Sequence, residues 1–225
     1  VRERTAHVVG LSAEAGGVGE PAVGTALGVF AAIAPTLEEA FGDGRIAGRS
    51  FVVSGLGQVG GRLARMLADA GADLIVTDVV PAKRALADEL GARWIAPEDA
   101  LVTPADVLVP AGLGGVLTSS AIRTLPVRAV VGPANNPLDE RDGAAELAER
   151  GIVYAPDFVV NAGGVIHLTL LDAGAPAAEV ERRLLGIGDT TRRVFATARE
   201  RGVTSLDAAE SIARERIEAK RLVHA

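Results

Sequence analysis

Cysteine is absent from the chain of 225 residues, and aromatic residues make up only 3% of it. Without cysteine, disulfide frameworks, thiolate metal sites and cysteine nucleophiles are excluded. The scarcity of aromatic side chains argues against a surface on which nucleic-acid bases stack. The net charge of -6 argues against a basic nucleic-acid-binding face. We therefore expect a core of Ala, Val, Leu and Ile, no metal site and no nucleic-acid partner.

The sequence also lacks an apolar run of membrane-spanning length. The longest mostly apolar stretch, 22–34, contains two glycines and is shorter than the roughly 20 residues that a helix needs to cross a bilayer. The N-terminus, VRERTAHVVG, is charged and has no apolar region typical of a secretory signal. These observations predict a cytoplasmic protein without a membrane partner.

Lysine is scarce as well, because only Lys83 and Lys220 are lysines among the 23 Lys and Arg residues. Arginines are concentrated between positions 182 and 201, where acidic residues alternate with them. Such alternation is typical of a solvated helix face. Any chemistry that requires an amine must therefore use one of two side chains of this chain.

Short β-branched runs alternate with helical apolar spacing in the first 160 residues. The predicted strands are 50–54, 74–77, 94–95, 105–109, 129–131 and 153–154. The predicted helices are 24–41, 60–70, 81–90 and 139–150, followed by 161–172, 176–201 and 205–222. The alternation predicts an α/β fold with a doubly wound, mostly parallel sheet and a C-terminal helical extension.

The strongest motif is G-L-G-Q-V-G at 55–60, which follows a predicted strand and opens a predicted helix. The first glycine would make the tight turn, the second would admit a pyrophosphate close to the backbone, and the third would let helix and strand pack closely. The helix start would direct free N–H groups at the phosphates. The residues expected to bind the cofactor here are Gly55, Leu56, Gly57, Gln58, Val59 and Gly60.

An acidic residue, Asp78, ends the second predicted strand. At this position a carboxylate accepts hydrogen bonds from the adenosine ribose and repels a 2′-phosphate, so the sequence favours NAD over NADP. Arg84 lies nearby and weakens that preference, and a strand-ending role for Asp78 is the alternative. We therefore divide the chain into a connecting segment (1–23), a Rossmann-type dinucleotide-binding domain (24–160) and a helical extension (161–225).

Several longer segments resemble the C-terminal part of the glutamate, leucine, phenylalanine and valine dehydrogenases, and the leucine, valine and phenylalanine branch most of all. The resemblance runs from about Thr5 to the end and includes the glycine turn. Its other marks are P-A-V-G-T-A-L-G-V at 21–29, T-D at 77–78, V-P-A-G-L-G-G at 109–115, G-P-A-N-N-P-L at 132–138 and G-I-V-Y-A-P-D-F-V-V-N-A-G-G-V at 151–165. It implies NAD-dependent oxidative deamination of a branched-chain or aromatic L-amino acid to its 2-oxo acid.

The resemblance also implies roles for individual residues. Thr25 matches a threonine near the nicotinamide carboxamide, Ala111 a loop beside the adenosine ribose, and Asn135 a loop on the nicotinamide side. Asn161 matches an asparagine that faces substrate and nicotinamide. Leu184 and Ile187 match residues of the substrate side-chain pocket. Local turn bonding is the alternative for the two asparagines, and plain core packing is the alternative for the last two residues.

The family also carries catalytic and carboxylate-binding lysines in an N-terminal domain, and neither Lys83 nor Lys220 matches them. Collapse of the carbinolamine needs a group that exchanges protons near neutral pH, which arginine does not do. We expect His167 to be a structural histidine far from the hydride site. No residue of the chain is therefore assigned as catalytic.

Three interpretations follow. In the first, the chain is the NAD-binding part of an amino-acid dehydrogenase, as a fragment, a split-gene subunit or a truncated reading frame, with the lysine-bearing domain supplied elsewhere or lost. In the second, it is a stand-alone NAD-binding protein with another redox role or a non-catalytic one. In the third, it is a methyl transferase or a sugar-nucleotide enzyme with the same glycine turn. The third fits 132–138 and 151–165 least. Expected partners are an amino acid or 2-oxo acid and a separate catalytic domain or a second copy. Leu11, Val18 and Val23 are candidates for a surface that needs covering.

Overall fold

Six parallel strands form the sheet in the computed structural model, which describes residues 20–223. The strands are β1 (Ser50–Ser54), β2 (Asp73–Thr77), β3 (Arg93–Trp94), β4 (Val107–Pro110), β5 (Ala129–Val130) and β6 (Val153–Tyr154). Their order across the sheet is β3-β2-β1-β4-β5-β6, with every neighbouring pair parallel. This is the order of a Rossmann-type domain with two halves that meet between β1 and β4, so the predicted fold class is confirmed.

The helices of the described chain match the predicted ones closely, with two additions. They are α1 (Ala22–Phe41), α2 (Gln58–Asp69), α3 (Arg84–Glu89), α4 (Ser119–Thr124), α5 (Gly143–Glu149), α6 (Asp157–Val160), α7 (Gly163–Asp172), α8 (Ala177–Arg201) and α9 (Ser205–Val223). Single 3₁₀ turns occupy Pro81–Lys83 and Pro97–Asp99. The short helices α4 and α6 were not predicted, because one or two turns are too short to show a periodicity.

Side chains of the central strand alternate between two cores, one on each face of the sheet. Phe51 and Val53 of β1 belong to a core that also contains residues of α1, α2 and α8. Val52 points to the other face, into a core with residues of α4 and α5. Burial on both faces explains why the strands read as uninterrupted apolar runs.

Glycines let α1 approach the C-terminal helices closely. A Cβ on Gly28 would lie 2.6 Å from Cδ1 of Ile187 in α8, and a Cβ on Gly24 would lie 2.6 Å from the carbonyl oxygen of Gly163 in α7. At the next residue of α8, a Cβ on Gly188 would lie 2.6 Å from the carbonyl oxygen of Ala31, about one turn along α1 from Gly28. Since α1 precedes the sheet and α8 follows it, these contacts hold the two helices together on the face of the sheet that Phe51 and Val53 cover.

The proposed boundaries at 23 and 160 remain predictions. Helix α1 begins at Ala22, inside the segment predicted to connect, whereas Leu11 and Val18 lie outside the described residues. Val23 is half exposed near the start of α1. Among residues 20–223, no helix is both long and apolar enough to cross a membrane.

Candidate dinucleotide site

The turn after β1 requires glycine at its first position. Gly55 has a φ of +109°, and its N–H donates a 2.8 Å hydrogen bond to the carbonyl oxygen of Thr77. A Cβ on Gly55 would lie 2.8 Å from the carbonyl group of Ala111, in the loop after β4. Both the backbone conformation and the close approach of the β4 loop therefore exclude a side chain.

The other two glycines of the turn differ sharply in their surroundings. A Cβ on Gly60 would overlap the carbonyl oxygen of Gly55 and lie 2.9 Å from Cβ of Ala111. A Cβ on Gly57 would meet nothing within 4 Å. Gly60 is thus required by packing, whereas the space beside Gly57 is open. The helix α2 starts there without a side-chain cap, which leaves its first N–H groups for a ligand.

The remaining turn residues have separate roles in the structure. Leu56 has a buried side chain that belongs to the core, so only its backbone faces the site. Gln58 is exposed, and its side-chain and carbonyl oxygens accept hydrogen bonds from Arg62 at 2.8 and 2.6 Å. Val59 is half-buried.

Asp78 forms hydrogen bonds that sequence reasoning did not find. Its Oδ2 accepts a 2.6 Å bond from the N–H of Leu56, and its Oδ1 accepts a 2.8 Å bond from the N–H of Val80. The carboxylate therefore holds the glycine turn and the start of its own loop. Each carboxylate oxygen can accept further bonds, so the ribose role remains open to it.

A cleft of about 340 Å³ lies between the turn, the end of β2 and the loop after β4. Its lining residues include Gly55, Gly57, Thr77, Asp78, Ala111 and Leu113. Leu113 and Val79 are 85% and 82% exposed and border the cleft with apolar surface. The Oγ1 of Thr77 is buried without a hydrogen-bond partner among the described residues. An open backbone approach, a carboxylate and apolar borders fit the adenosine half of a dinucleotide.

Lys83 and Arg84 lie outside this cleft. Lys83 lines a neighbouring cleft of about 530 Å³, between α2 and α3, whose other lining residues include Gly57 and Gln58 of the glycine turn and the cations Arg62 and Arg65. Arg65 is paired with Glu89 at 3.0 Å. Lys220 lies at the exposed end of α9. The structure therefore places Lys83 beside the glycine turn but outside the cleft that Asp78 lines, and it places Lys220 at neither cleft.

The two asparagines of the expected nicotinamide side are brought together. Nδ2 of Asn161 donates a 2.8 Å hydrogen bond to Oδ1 of Asn135 and a 3.3 Å bond to the carbonyl oxygen of Pro133. Asn135 follows β5, and Asn161 follows the short helix α6. The pair thus lies at the carboxyl ends of β5 and β6, in the half of the sheet opposite Asp78.

A buried carboxylate lies behind this pair. Oδ2 of Asp157 accepts a 2.9 Å bond from the N–H of Asn136, and Oδ1 accepts a 3.0 Å bond from the hydroxyl of Tyr154. Burial, and then the charge of Asp157, raise the pKa of Tyr154 far above its usual value. The hydroxyl therefore keeps its proton and remains a donor. Sequence reasoning missed both residues, although an Asp inside an apolar segment is a recognisable signal.

Thr25 lies in the first turn of α1, where its hydroxyl donates a 3.0 Å bond to the carbonyl oxygen of Pro21. Its Oγ1 would contact a Cβ placed on Gly164, so it lies against the start of α7. Leu184 and Ile187 are buried, at 2% and 4% exposure. Ile187 contacts α1 and belongs to the main core, which agrees with the alternative role of a plain core residue.

His167 packs its Cβ and Cγ atoms against Gly24 of α1. Its Nδ1 is buried and has no hydrogen-bond partner in the described part of the chain. No group of three or more His, Cys, Asp or Glu suited to a metal occurs among the residues that the structure describes.

The strand order and the closely packed glycine turn define a Rossmann-type α/β domain. Residues 77–224 match the Glutamate/Leucine/Phenylalanine/Valine dehydrogenase family. The chain belongs to this family, as its longer segments suggested.

The chain is similar to a leucine dehydrogenase from Thermoactinomyces intermedius, with 38% identity over 98% of this chain and 61% of that protein. It superposes on the L-tryptophan dehydrogenase structure from Nostoc punctiforme with a TM-score of 0.85 and 36% identity, covering 89% of this chain and 61% of that one. A hetero-hexameric glutamate dehydrogenase from Thermus thermophilus superposes with a TM-score of 0.77 and 26% identity, covering 96% and 56%. The chain thus spans about 60% of the length of such relatives, in their C-terminal part.

Proposed function

We propose that the chain is the NAD-binding portion of an L-amino-acid dehydrogenase that acts on a branched-chain or aromatic amino acid. The observation that carries the proposal is the contrast within the glycine turn. Two glycines are closed in by backbone, and Gly57 between them faces open space at the start of α2. That arrangement is what a pyrophosphate requires. The related leucine and L-tryptophan dehydrogenases support the substrate class.

NAD, when bound, would accept a hydride from the α-carbon of the amino acid. The residues of this chain bind and orient the reactants. The turn at Gly55–Gly60 and the N-terminus of α2 hold the phosphates, Asp78 and the Ala111 loop hold the adenosine end, and the amides of Asn135 and Asn161 orient the nicotinamide end. Thr25, at the start of α1, would contact the carboxamide of the nicotinamide. Ile187 borders a cleft beside Ile166 as well as the core, and we assign it, with its neighbour Leu184, to the apolar wall for the substrate side chain.

The proton-transfer group is assigned to none of these residues. Deamination needs an amine that exchanges protons near neutral pH, and a cation for the substrate carboxylate. Lys83 lies in the cleft between α2 and α3, and Lys220 at the exposed end of α9. We therefore propose that a lysine-bearing domain outside the given residues, in the same or in another polypeptide, completes the site. The expected cytoplasmic location is part of the same proposal.

Preference for NAD over NADP is also proposed, on the basis of Asp78. Its carboxylate lies at the end of β2, beside the open cleft, and would repel a 2′-phosphate. Two cations of the second cleft, Arg62 and Arg65, already have partners in Glu20 and Glu89, and we expect these two to do little to attract a 2′-phosphate. Lys83, the third cation of that cleft, forms no ion pair within residues 20–223, so the preference rests on the carboxylate of Asp78.

Calorimetric titration of the 225-residue chain with NAD and with NADP tests the cofactor. We expect NAD to bind at least about tenfold more tightly, a difference of about 1.4 kcal/mol. Absence of binding by either dinucleotide would overturn the proposal, and tighter binding of NADP would overturn the Asp78 argument alone.

A second experiment tests the reaction. The chain is mixed with the lysine-bearing N-terminal domain of a related leucine dehydrogenase, and leucine-dependent NADH formation is followed by absorbance. We expect activity in the mixture and none from either part alone. Turnover of leucine by this chain alone would show that the amine is not required. NAD binding without activity in any mixture would favour the alternative, a stand-alone NAD-binding protein.

A further inference from the structure

The loop after β5 contains a left-handed residue whose peptide groups are hydrogen-bonded on both sides. Asn136 has a φ of +49°, the one positive value at a non-glycine residue among residues 20–223. Its N–H donates to Asp157 at 2.9 Å, and its carbonyl oxygen accepts a 2.8 Å bond from the N–H of Gly115. Asparagine adopts the left-handed conformation more readily than other residues with a side chain, so the fixed geometry here comes from the partners of its peptide groups. Here two hydrogen bonds hold it, one from each side.

The carboxylate of Asp157, which binds this loop, is fixed by a second hydrogen bond. Asp157 is 8% exposed, and its Oδ1 accepts a hydrogen bond from the hydroxyl of Tyr154, which is 4% exposed. The backbone oxygen of Tyr154 in turn accepts a 2.6 Å bond from the hydroxyl of Ser205, at the first residue of α9. The tether therefore runs from the start of α9 through β6 to the loop after β5.

The tethered loop lies in the half of the domain that faces the second nucleotide. A dinucleotide binds across the crevice between the two halves of a Rossmann-type sheet, at the carboxyl ends of the strands. Asp78 marks the β1–β2–β3 half, so the β4–β5–β6 half receives the other end. The side-chain amides of Asn135 and Asn161, which are hydrogen-bonded to each other, lie in this second half. Asn135 is the residue directly before Asn136.

We propose that Asp157 and Tyr154 are positioning residues for the nicotinamide half of the cofactor, through the backbone of Asn136. Neither side chain touches the ligand. Asp157 fixes the peptide of Asn136, and thereby the orientation of the amide of Asn135. The inference rests on the proposed function, because it requires that a dinucleotide occupies the crevice.

Four variants of the full chain separate geometry from charge. Asp157→Ala removes both acceptors. Asp157→Asn keeps one acceptor oxygen for the N–H of Asn136 and turns its amide N–H towards the oxygen of Tyr154, which can accept. Tyr154→Phe leaves one carboxylate oxygen without its donor. The double variant Asp157→Asn with Tyr154→Phe leaves the new amide N–H without an acceptor, so it should lose what Asp157→Asn retains.

The ligands are NADH and ADP-ribose, which lacks the nicotinamide ring, and binding is measured by calorimetry with thermal melting as the fold control. We expect Asp157→Ala to weaken NADH binding about tenfold, since loss of a buried hydrogen-bonding partner typically has an effect of this size. ADP-ribose binding should change less than about twofold. Asp157→Asn should bind NADH like the wild type, whereas the double variant should resemble Asp157→Ala.

Equal losses for NADH and ADP-ribose would overturn the inference, since the effect would then be on the whole domain. So would an Asp157→Asn variant as weak as Asp157→Ala, or unchanged NADH binding in every variant. If the wild type binds neither ligand, the proposed function itself fails, which is a different result.

Discussion

The N–H of Leu56 lies 2.6 Å from Oδ2 of Asp78, so the carboxylate at the end of β2 holds the glycine turn that follows β1. Its other oxygen accepts the N–H of Val80 at 2.8 Å. Both oxygens therefore face donors. The residue expected to recognise a ribose is therefore also a structural support of the turn that is expected to hold the phosphates.

Asp78→Asn should destabilise the protein, because its amide N–H₂ must face one of the two backbone N–H groups. We expect a loss of about 1–3 kcal/mol in the free energy of unfolding, together with weaker NAD binding. Urea unfolding and calorimetry measure the two effects. Asp73→Asn, at the exposed start of the same strand, is the matched control and should change stability by less than about 0.5 kcal/mol. Equal stability of the two variants would contradict the role assigned to Asp78.

Gly57→Ala and Gly60→Ala should separate binding from stability. The added methyl at 57 meets nothing within 4 Å, and the residue has an ordinary φ of -66°, so the fold should tolerate it. NAD affinity should nevertheless fall about tenfold or more, because the methyl occupies the space for a pyrophosphate. The methyl at 60 overlaps the carbonyl oxygen of Gly55 and should lower stability by about 1–3 kcal/mol. A stable Gly57→Ala variant with wild-type NAD affinity would remove the main support for the proposed function.

Two glycines of α8 offer a test of the packing between α1 and α8. Gly188→Ala should be destabilising by about 1–3 kcal/mol, because its methyl would lie 2.6 Å from the carbonyl oxygen of Ala31. Gly186→Ala, half a turn away in the same helix, meets nothing within 4 Å and should be stabilising by up to about 1 kcal/mol through helix propensity. Thermal melting of the two variants should show shifts in opposite directions. Shifts of the same sign would contradict the close approach of the two helices.

The ion pair between Glu38 of α1 and Arg192 of α8 should make a small, pH-dependent contribution. The hydrogen bond from Arg192 lowers the pKa of Glu38 below its ordinary value of 4.5. A lowered folded-state pKa means that the stabilisation is fully present above pH 4.5 and is lost as the pH falls through the folded-state pKa. Because both side chains are more than one-third exposed, we expect a coupling energy of at most about 0.5 kcal/mol.

A double-mutant cycle with Glu38→Gln and Arg192→Gln, at pH 7 and again at about pH 3, measures this coupling. The coupling should be weakened by salt at pH 7 and should be smaller at the lower pH. A coupling energy that is unchanged in acid would show that the two residues interact through packing and not through charge.

Local patterns predicted most of the elements. The run SFVVS forms β1 at Ser50–Ser54. Gly202, between the last two predicted helices, marks the end of α8 at Arg201. These elements follow from burial on two faces and from helix-ending glycines, both of which depend on neighbouring residues. The missed helix α4 begins where the hydroxyl of Thr118 accepts the N–H of Ala121, a single capping bond without a periodicity to announce it.

The amino-acid sequence by itself determined the Rossmann-type class, the glycine turn and the family, because each depends on residue types at short spacings. Only the tertiary structure decided that Asp78 holds Leu56 and that Asp157 holds Asn136. These partners are separated by 22 and 21 residues, and parallel strands bring them together at the carboxyl edge of the sheet. The physical reason is that a hydrogen bond between distant residues depends on strand order and register, which no local pattern contains.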